Sequence, residues 1–266
     1  SNIDSEEVDC ELIFLGTGTS EGVPRISCIT SPDKYCKTCH DAVEIGSKNR
    51  RRNCSVLIRK KNPNAIDSRS IRNIVIDVGK FFYESALTWF PEYNIRHIDA
   101  VLLTHSHADH ILGMDDLRDW TLNISDSVQP LPLYLDKSTM DRVEQVFPYI
   151  TDSKLAQSAV PKCSFHEILE NQSFLVETIE FIPLRVKHGK NMTALGFRFG
   201  DITYIPDVSE VPDQTLQLMK GTKLLIIDAL NPTGTNGTHF TAPVSIEFAK
   251  ILEPDDVLFV DMTHRW

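Results

Sequence analysis

No run of apolar residues approaches the length needed to cross a bilayer, and no charged-then-apolar segment opens the chain. Those absences predict a protein without a membrane partner, in a cytoplasmic setting (cytosolic or organellar). Cysteine is scarce: six in 266 residues do not make a disulfide scaffold. Internal repeats, low-complexity tracts and obvious linkers are lacking as well. Basic charge is in deficit, with 27 Lys and Arg against 37 Asp and Glu and a net charge of −10; the pI is near 5.4. Such a surface disfavours nonspecific binding to long nucleic acid. It still leaves room for a small phosphorylated substrate, because bound divalent metals would be the largest local charges in a site.

The remaining composition, 41 % hydrophobic and 24 % charged, is that of an ordinary globular chain long enough to bury a substantial core. Short β-branched or aliphatic runs predict strands at Glu11–Leu15, Ser55–Arg59, Asn73–Ile76, Asp99–Leu103 and Leu131–Leu135. Five more lie at Ile179–Leu184, Ala194–Phe199, Thr203–Ile205, Lys223–Ile227 and Val257–Val260. Helical patterns fall at Phe81–Trp89, Met114–Trp120, Ser138–Val146, Asp213–Met219 and Pro243–Leu252. The polar stretch Pro63–Arg69 reads as a loop between strands. Strands come in runs of two or three, each run followed by a helix, and the pattern occurs twice. That order suits an α/β fold of two face-to-face sheets with helices outside, a four-layer αβ/βα sandwich, better than a doubly wound parallel sheet.

Directly after the strand ending at Leu103 comes Thr104-His105-Ser106-His107-Ala108-Asp109-His110. Histidines two apart at a strand end point the same way. A tight turn into a helix can then bring Asp109 and His110 to the same hollow. Nine histidines in the whole chain make this six-residue pattern a poor product of chance. Four ligands in six residues can serve two metals only if other segments complete each site.

The motif and the segments C-terminal to it resemble the metallo-β-lactamase superfamily. The resemblance implies that His105, His107 and a later histidine, His188, hold one metal. It implies that Asp109, His110 and a last histidine, His264, hold the other, with Asp207 bridging. Asp77, which closes the strand Ile74-Val-Ile-Asp77 before Gly79, resembles the superfamily's Asp that fixes a ligating imidazole; a simple turn former is the alternative. Mixed imidazole and carboxylate ligands suit zinc, manganese or iron. Paired metals lower the pKa of a shared water from about 15.7 to roughly 7, making hydroxide available for attack on phosphorus.

Local features resemble the PhnP-like phosphodiesterase and tRNase Z-related branch. The opening Leu12-Ile-Phe-Leu-Gly16-Thr-Gly-Thr-Ser20-Glu-Gly-Val-Pro24 matches its start. Arg51-Arg52-Asn53-Cys54-Ser55 matches an Arg-Arg…Cys-Ser stretch, read either as a phosphate holder or as a solvated strand-end pair. His239, in Thr238-His239-Phe240-Thr241, matches the histidine that this branch uses near the leaving group, which implies a general acid. Cys28, Cys36 and Cys39 fall where the branch carries cysteines of a structural zinc site, with a longer gap after Cys28. The branch's fourth ligand there comes after the last active-site histidine and is not visible beyond His264, which leaves His40 as a substitute. Members usually continue beyond that histidine, so either further chain follows Trp266 or the fold is trimmed here.

The resemblance thus implies one hydrolase domain over 1–266 with two divalent ions, Zn or Mn, and leaves a structural zinc open. The implied enzyme opens a cyclic or diester phosphate on a small nucleotide or sugar phosphate, with His239, Asp109 and Asp77 in catalytic roles. The rivals are a tRNase Z-like endoribonuclease, a thioester or lactone hydrolase, and a non-catalytic scaffold of the kind that has lost metal ligands, which the intact ligand set disfavours. A tRNase Z needs a protruding basic arm, and no Gly/Pro-rich basic insertion occurs. Dimerisation is common in the branch, so a homodimer stays open.

Overall fold

A computed structural model describes residues 10–33, 35–63, 70–122 and 129–266. Its strands are β1 (Cys10–Gly16), β2 (Ser55–Lys61), β3 (Ile71–Ile76), β4 (Ala100–Leu102), β5 (Leu131–Leu135) and β6 (Cys163–Glu167), then β7 (Phe174–Val176), β8 (Ile179–Lys187), β9 (Thr193–Phe199), β10 (Ile202–Ile205), β11 (Leu224–Asp228) and β12 (Asp256–Val260). The helices are α1 (Ile26–Ile29), α2 (Lys37–Asp41), α3 (Phe82–Glu92), α4 (Ala108–Ile111), α5 (Arg118–Thr121), α6 (Lys137–Val146), α7 (Pro148–Thr151), α8 (Asp213–Met219) and α9 (Ala242–Leu252).

The strands form two six-stranded mixed sheets, ordered β1-β2-β3-β4-β5-β6 and β12-β11-β10-β9-β8-β7. In the first, β1 to β3 pair antiparallel and β3 to β6 parallel. In the second, β7 to β10 pair antiparallel and β10 to β12 parallel. Side-chain alternation along each strand divides the core into layers. Val56, Ile58, Ile74, Ile76 and Leu102 face the second sheet, where they meet Phe181, Phe197, Tyr204, Ile226 and Val260. The intervening Leu57, Val75 and Val101 face outward and are covered by residues of α3, α6 and α7. On the far side, Leu184, Ile205, Leu225 and Ile227 pack against Met219 of α8 and Phe248 of α9. The predicted αβ/βα sandwich is the observed one.

Two local readings change. Met114–Trp120 is a 3-10 turn over Leu112–Leu117 followed by α5, because Gly113 must sit against the backbone carbonyl of Gly79: a Cβ there would meet that oxygen at 2.4 Å. Strands β6 and β7 are added at the sheet edges. Of the predicted loop Pro63–Arg69, only Pro63, in a turn, lies within the described residues. Among the described residues, no helix is long and apolar enough to cross a membrane.

Candidate metal centre

Parallel strands send their carboxyl ends to one edge of each sheet, where open α/β folds gather ligands. Four apolar strands end here in aspartate: Ile74-Val-Ile-Asp77, Tyr204-Ile-Pro-Asp207, Leu225-Ile-Ile-Asp228 and Leu258-Phe-Val-Asp261. All four carboxylates are buried. Between them lie His105 and His107 after β4, His110 in α4 and His188 after β8.

Asp77 organises the first half. Its backbone is left-handed (φ 65°), an uncommon setting for a residue with a side chain. Its carboxylate accepts from Thr104 N and Thr104 Oγ1, both at 2.8 Å, and from His110 Nδ1 at 2.7 Å. Thr104 Oγ1 donates its proton to Asp77 and so accepts from His105 Nδ1 at 3.0 Å. His188 Nδ1 donates to the carbonyl of Thr238 at 2.8 Å. With these Nδ1 atoms occupied, the Nε2 atoms of His105, His110 and His188 turn inward, the orientation a ligand needs. Asp77 thus contacts His110 directly and His105 through Thr104. The turn cannot carry bulk, since a Cβ on Gly79 would lie 1.8 Å from the carbonyl oxygen of Asp109.

The inward atoms converge. His105, His107 and His188 offer ligand atoms within 4.8 Å of one another, as do His105, His110 and Asp207. His188 Nε2 is 3.2 Å from His107 Nδ1. Asp207 faces both ways: Oδ2 lies 2.8 Å from His110 Nε2 and 3.2 Å from His105 Nε2, while Oδ1 lies 3.7 Å from His239 Nδ1. Asp109, in the first turn of α4, reaches His110 Nε2 at 3.5 Å. Burial, the largest effect, holds His105, His107 and His188 below the ordinary histidine pKa and thus neutral. Burial pulls His110 down too, but Asp77, Asp207 and Asp109 overcome it and raise the pKa well above ordinary.

A second cluster adjoins the first. Asp207, Asp228, His239 and Asp261 present ligand atoms within 4.8 Å of one another. His239 Nδ1 hydrogen-bonds Asp228 Oδ2 at 2.9 Å. Burial opposes charge on His239, yet the carboxylates of Asp228 and Asp261 push its pKa up to about 11. Asp228 and Asp261 were not expected from the sequence, although both end an apolar strand as Asp77 and Asp207 do.

The donor set fits divalent cations. The partners of these five buried carboxylates are histidine rings, hydroxyls and backbone N–H groups. Burying that much like charge costs several kcal/mol per ion unless it is compensated. His105 Nε2, Asp228 Oδ1 and Asp261 Oδ2 are buried and hydrogen-bond nothing, as atoms awaiting a cation do.

His264 is not in either cluster. The left-handed backbone of Asp261 (φ 58°), with Met262 N bound to the Thr17 carbonyl, carries the chain toward the cysteines. There His264 Nδ1 lies 3.4 Å from Cys28 Sγ and 3.3 Å from Cys36 Sγ, and Cys28, Cys36, Cys39 and His264 form one ligand group. This corrects two expectations: His264 is not with the active-site ligands, and the fourth position beside the cysteines is His264, not His40. His40 instead stacks on Tyr35 with ring centroids 4.5 Å apart.

A cleft of about 370 Å³ opens over the clusters, lined by Ser20, His107, Asp109, His188, Lys190 and His239 among others. Apart from histidines, Lys190 is the one cationic side chain lining it among the described residues. The arginine pair is engaged elsewhere, Arg51 with the Thr263 carbonyl and Arg52 with Thr88 and Glu84, so neither holds a phosphate in this cleft. Gly16 and Gly18 serve the close approach of the opening loop to that segment, where a Cβ would lie 2.1 Å from the Asn53 carbonyl oxygen and 2.7 Å from Arg51 Cβ.

The chain belongs to the beta-lactamase superfamily, whose domain model matches residues 72–262. Within it, the fold is that of the metallo-β-lactamases and the branch is PhnP-like. A crystal structure of a diphosphatase from the PhnP family is 30 % identical and covers 97 % of this chain and 87 % of its own, with a TM-score of 0.79. The short form of human tRNase Z shares the fold at 18 % identity, covering 96 % and 93 % with a TM-score of 0.62. An octanoyltransferase of Porphyromonas gingivalis is 27 % identical over 254 residues. The match takes in 95 % of this chain but about half, 46 %, of that relative's length.

Proposed function

We propose that this metallo-β-lactamase-fold hydrolase is a phosphodiesterase acting on a cyclic or diester phosphate, diphosphate links included, of a small nucleotide or sugar phosphate. The observation that carries the reading is the His239–Asp228 pair on the wall of the cleft, beside the histidine cluster. With Nδ1 engaged by Asp228, His239 keeps Nε2 for the cleft, and the Asp228 carboxylate favours its protonated form. That is the disposition of a general acid for a departing oxygen. The similarity of the PhnP-family diphosphatase over nearly the whole chain supports the same substrate class.

His105, His107 and His188 would hold one divalent cation, Zn or Mn, and His110 and Asp109 the other, with Asp207 between. When bound, such a pair activates water near neutral pH and neutralises charge on phosphoryl oxygens. Asp77 and Thr104 keep the imidazoles in the ligating tautomer. Lys190 at the mouth attracts an anionic substrate, and Ser20 hydrogen-bonds the Asp109 carboxylate. Cys28, Cys36, Cys39 and His264 would close a separate structural zinc with the Cys₃His donor set.

The test is hydrolysis of bis(p-nitrophenyl) phosphate beside an octanoyl thioester and a lactone, using metal-replete protein and His239→Ala. Diester hydrolysis that falls about 10²–10⁴-fold in the variant, with metal retained, is the expected result. Thioester or lactone hydrolysis without diester hydrolysis would replace phosphorus by carbonyl carbon as the reacting centre.

A further inference from the structure

The end of β12 is held more firmly than a strand terminus requires. Asp261 has a left-handed backbone, and its N–H donates to the buried Cys54 sulfur at 3.1 Å, tying the end of the second sheet to the start of β2. The next residues are fixed in turn: Met262 N donates to the Thr17 carbonyl and Thr263 N to the Leu230 carbonyl, both at 3.0 Å. A non-glycine residue kept at positive φ by its surroundings points to a positional duty for its side chain. That side chain is 3 % exposed. Its Oδ2 lies 3.1 Å from His239 Nδ1 yet makes no hydrogen bond, because the Nδ1 proton goes to Asp228. A buried carboxylate oxygen is thus aimed into the acidic cluster with the His239 ring beside it but no hydrogen bond of its own.

We propose that Asp261, not His264, supplies the ligand completing the second cation position, the one that also uses Asp109, His110 and Asp207. This rests on the reading that the centre binds two cations. The two positions then differ in kind. The first has three imidazoles and a share of Asp207. The second has one imidazole and carboxylates from Asp109, Asp207 and Asp261. Imidazole-rich sets suit zinc, whereas oxygen-rich sets suit hard ions such as Mn²⁺. The second position therefore takes Mn²⁺ readily and exchanges it without disturbing the first. His264 is left to the cysteines, three residues further along the same fixed segment.

The experiment strips the full chain of metal and refills it with Zn²⁺ and then Mn²⁺. It counts each metal per chain by elemental analysis and follows Mn²⁺ by electron paramagnetic resonance. For wild type the expected result is about one Mn²⁺ per chain beside retained zinc. Asp261→Asn should weaken Mn²⁺ more than about 100-fold, beyond the 10–100-fold typical of residues that only support a ligand. It should leave zinc at the histidines. Because an asparagine at this strand end could disturb folding, His264→Ala provides an independent arm. It should keep Mn²⁺ at wild-type affinity and lose zinc from the cysteines, read as increased thiol reactivity. Asp261→Asn that folds and binds Mn²⁺ as wild type does overturns the proposal, as does His264→Ala that loses the Mn²⁺. Wild type that takes no metal at the histidines overturns the two-cation reading itself, and this proposal with it.

Discussion

The cysteine quartet and the histidine–carboxylate centre both gather ligands for cations, and they are assembled on opposite plans. Three members of the quartet come from the short segment holding α1 and α2, with His264 as the one distant contributor. Its surroundings are a small apolar cluster of Val23, Ala42 and Ile29. The other centre draws its groups from the ends of strands in both sheets, between Asp77 and Asp261, and faces a cleft. Sulfur ligands in a closed local set suit a structural ion, and nitrogen and oxygen ligands beside an open cleft suit chemistry. One region therefore fastens the α1–α2 segment to the segment after β12, and the other uses the whole fold to position reacting groups.

The contrast can be broken most directly at Asp207, whose two oxygens face the two clusters. Asp207→Ala should remove the shared ligand and lower kcat/KM by about 10³-fold or more, an effect on the order of 4 kcal/mol in the transition state. Metal analysis should show cation lost together with activity. A smaller effect is expected at Asp228, which acts through His239. Asp228→Asn should lower kcat roughly 10–100-fold while the metals stay. Full activity in that variant would mean that the pair plays no part in proton transfer. Cys36→Ser tests the other region and should have the smallest catalytic effect, within a few-fold. It should release one zinc and lower Tm by on the order of 10 °C, the loss expected from about 3 kcal/mol in a chain of this size. Loss of activity without loss of stability in Cys36→Ser would erase the distinction between the regions.

Much of this was legible in the sequence, for physical reasons. Several of the ten predicted strands are apolar runs buried on both faces, as in Val56–Leu57–Ile58 or Ile74–Val75–Ile76, so their signal is strong. Strands β6 and β7 escaped because they are edge strands, half-exposed and carrying Ser164, His166 and Glu167 in the first case. The motif His105–His110 could be read because its ligands are neighbours. His188 and Asp207 could be placed because each directly follows a recognisable strand. His264 could not: chain order says that it comes after the last strand, whereas the left-handed turn at Asp261, which sends it to the cysteines, has no mark in the sequence. His40 misled for the converse reason, being beside Cys39 in sequence but turned by α2 onto Tyr35. Asp228 and Asp261 did carry a signal, the aspartate closing an apolar strand. It becomes convincing only when four strands show it at one edge.

The chemistry assigned to this centre depends throughout on bound cations. That dependence is read by the rate of bis(p-nitrophenyl) phosphate hydrolysis before metal removal, after complete chelation, and after refilling with Zn²⁺ or Mn²⁺. Hydrolysis should disappear with the metal and return on refilling. Hydrolysis that persists in protein verified to be metal-free would contradict the assignment.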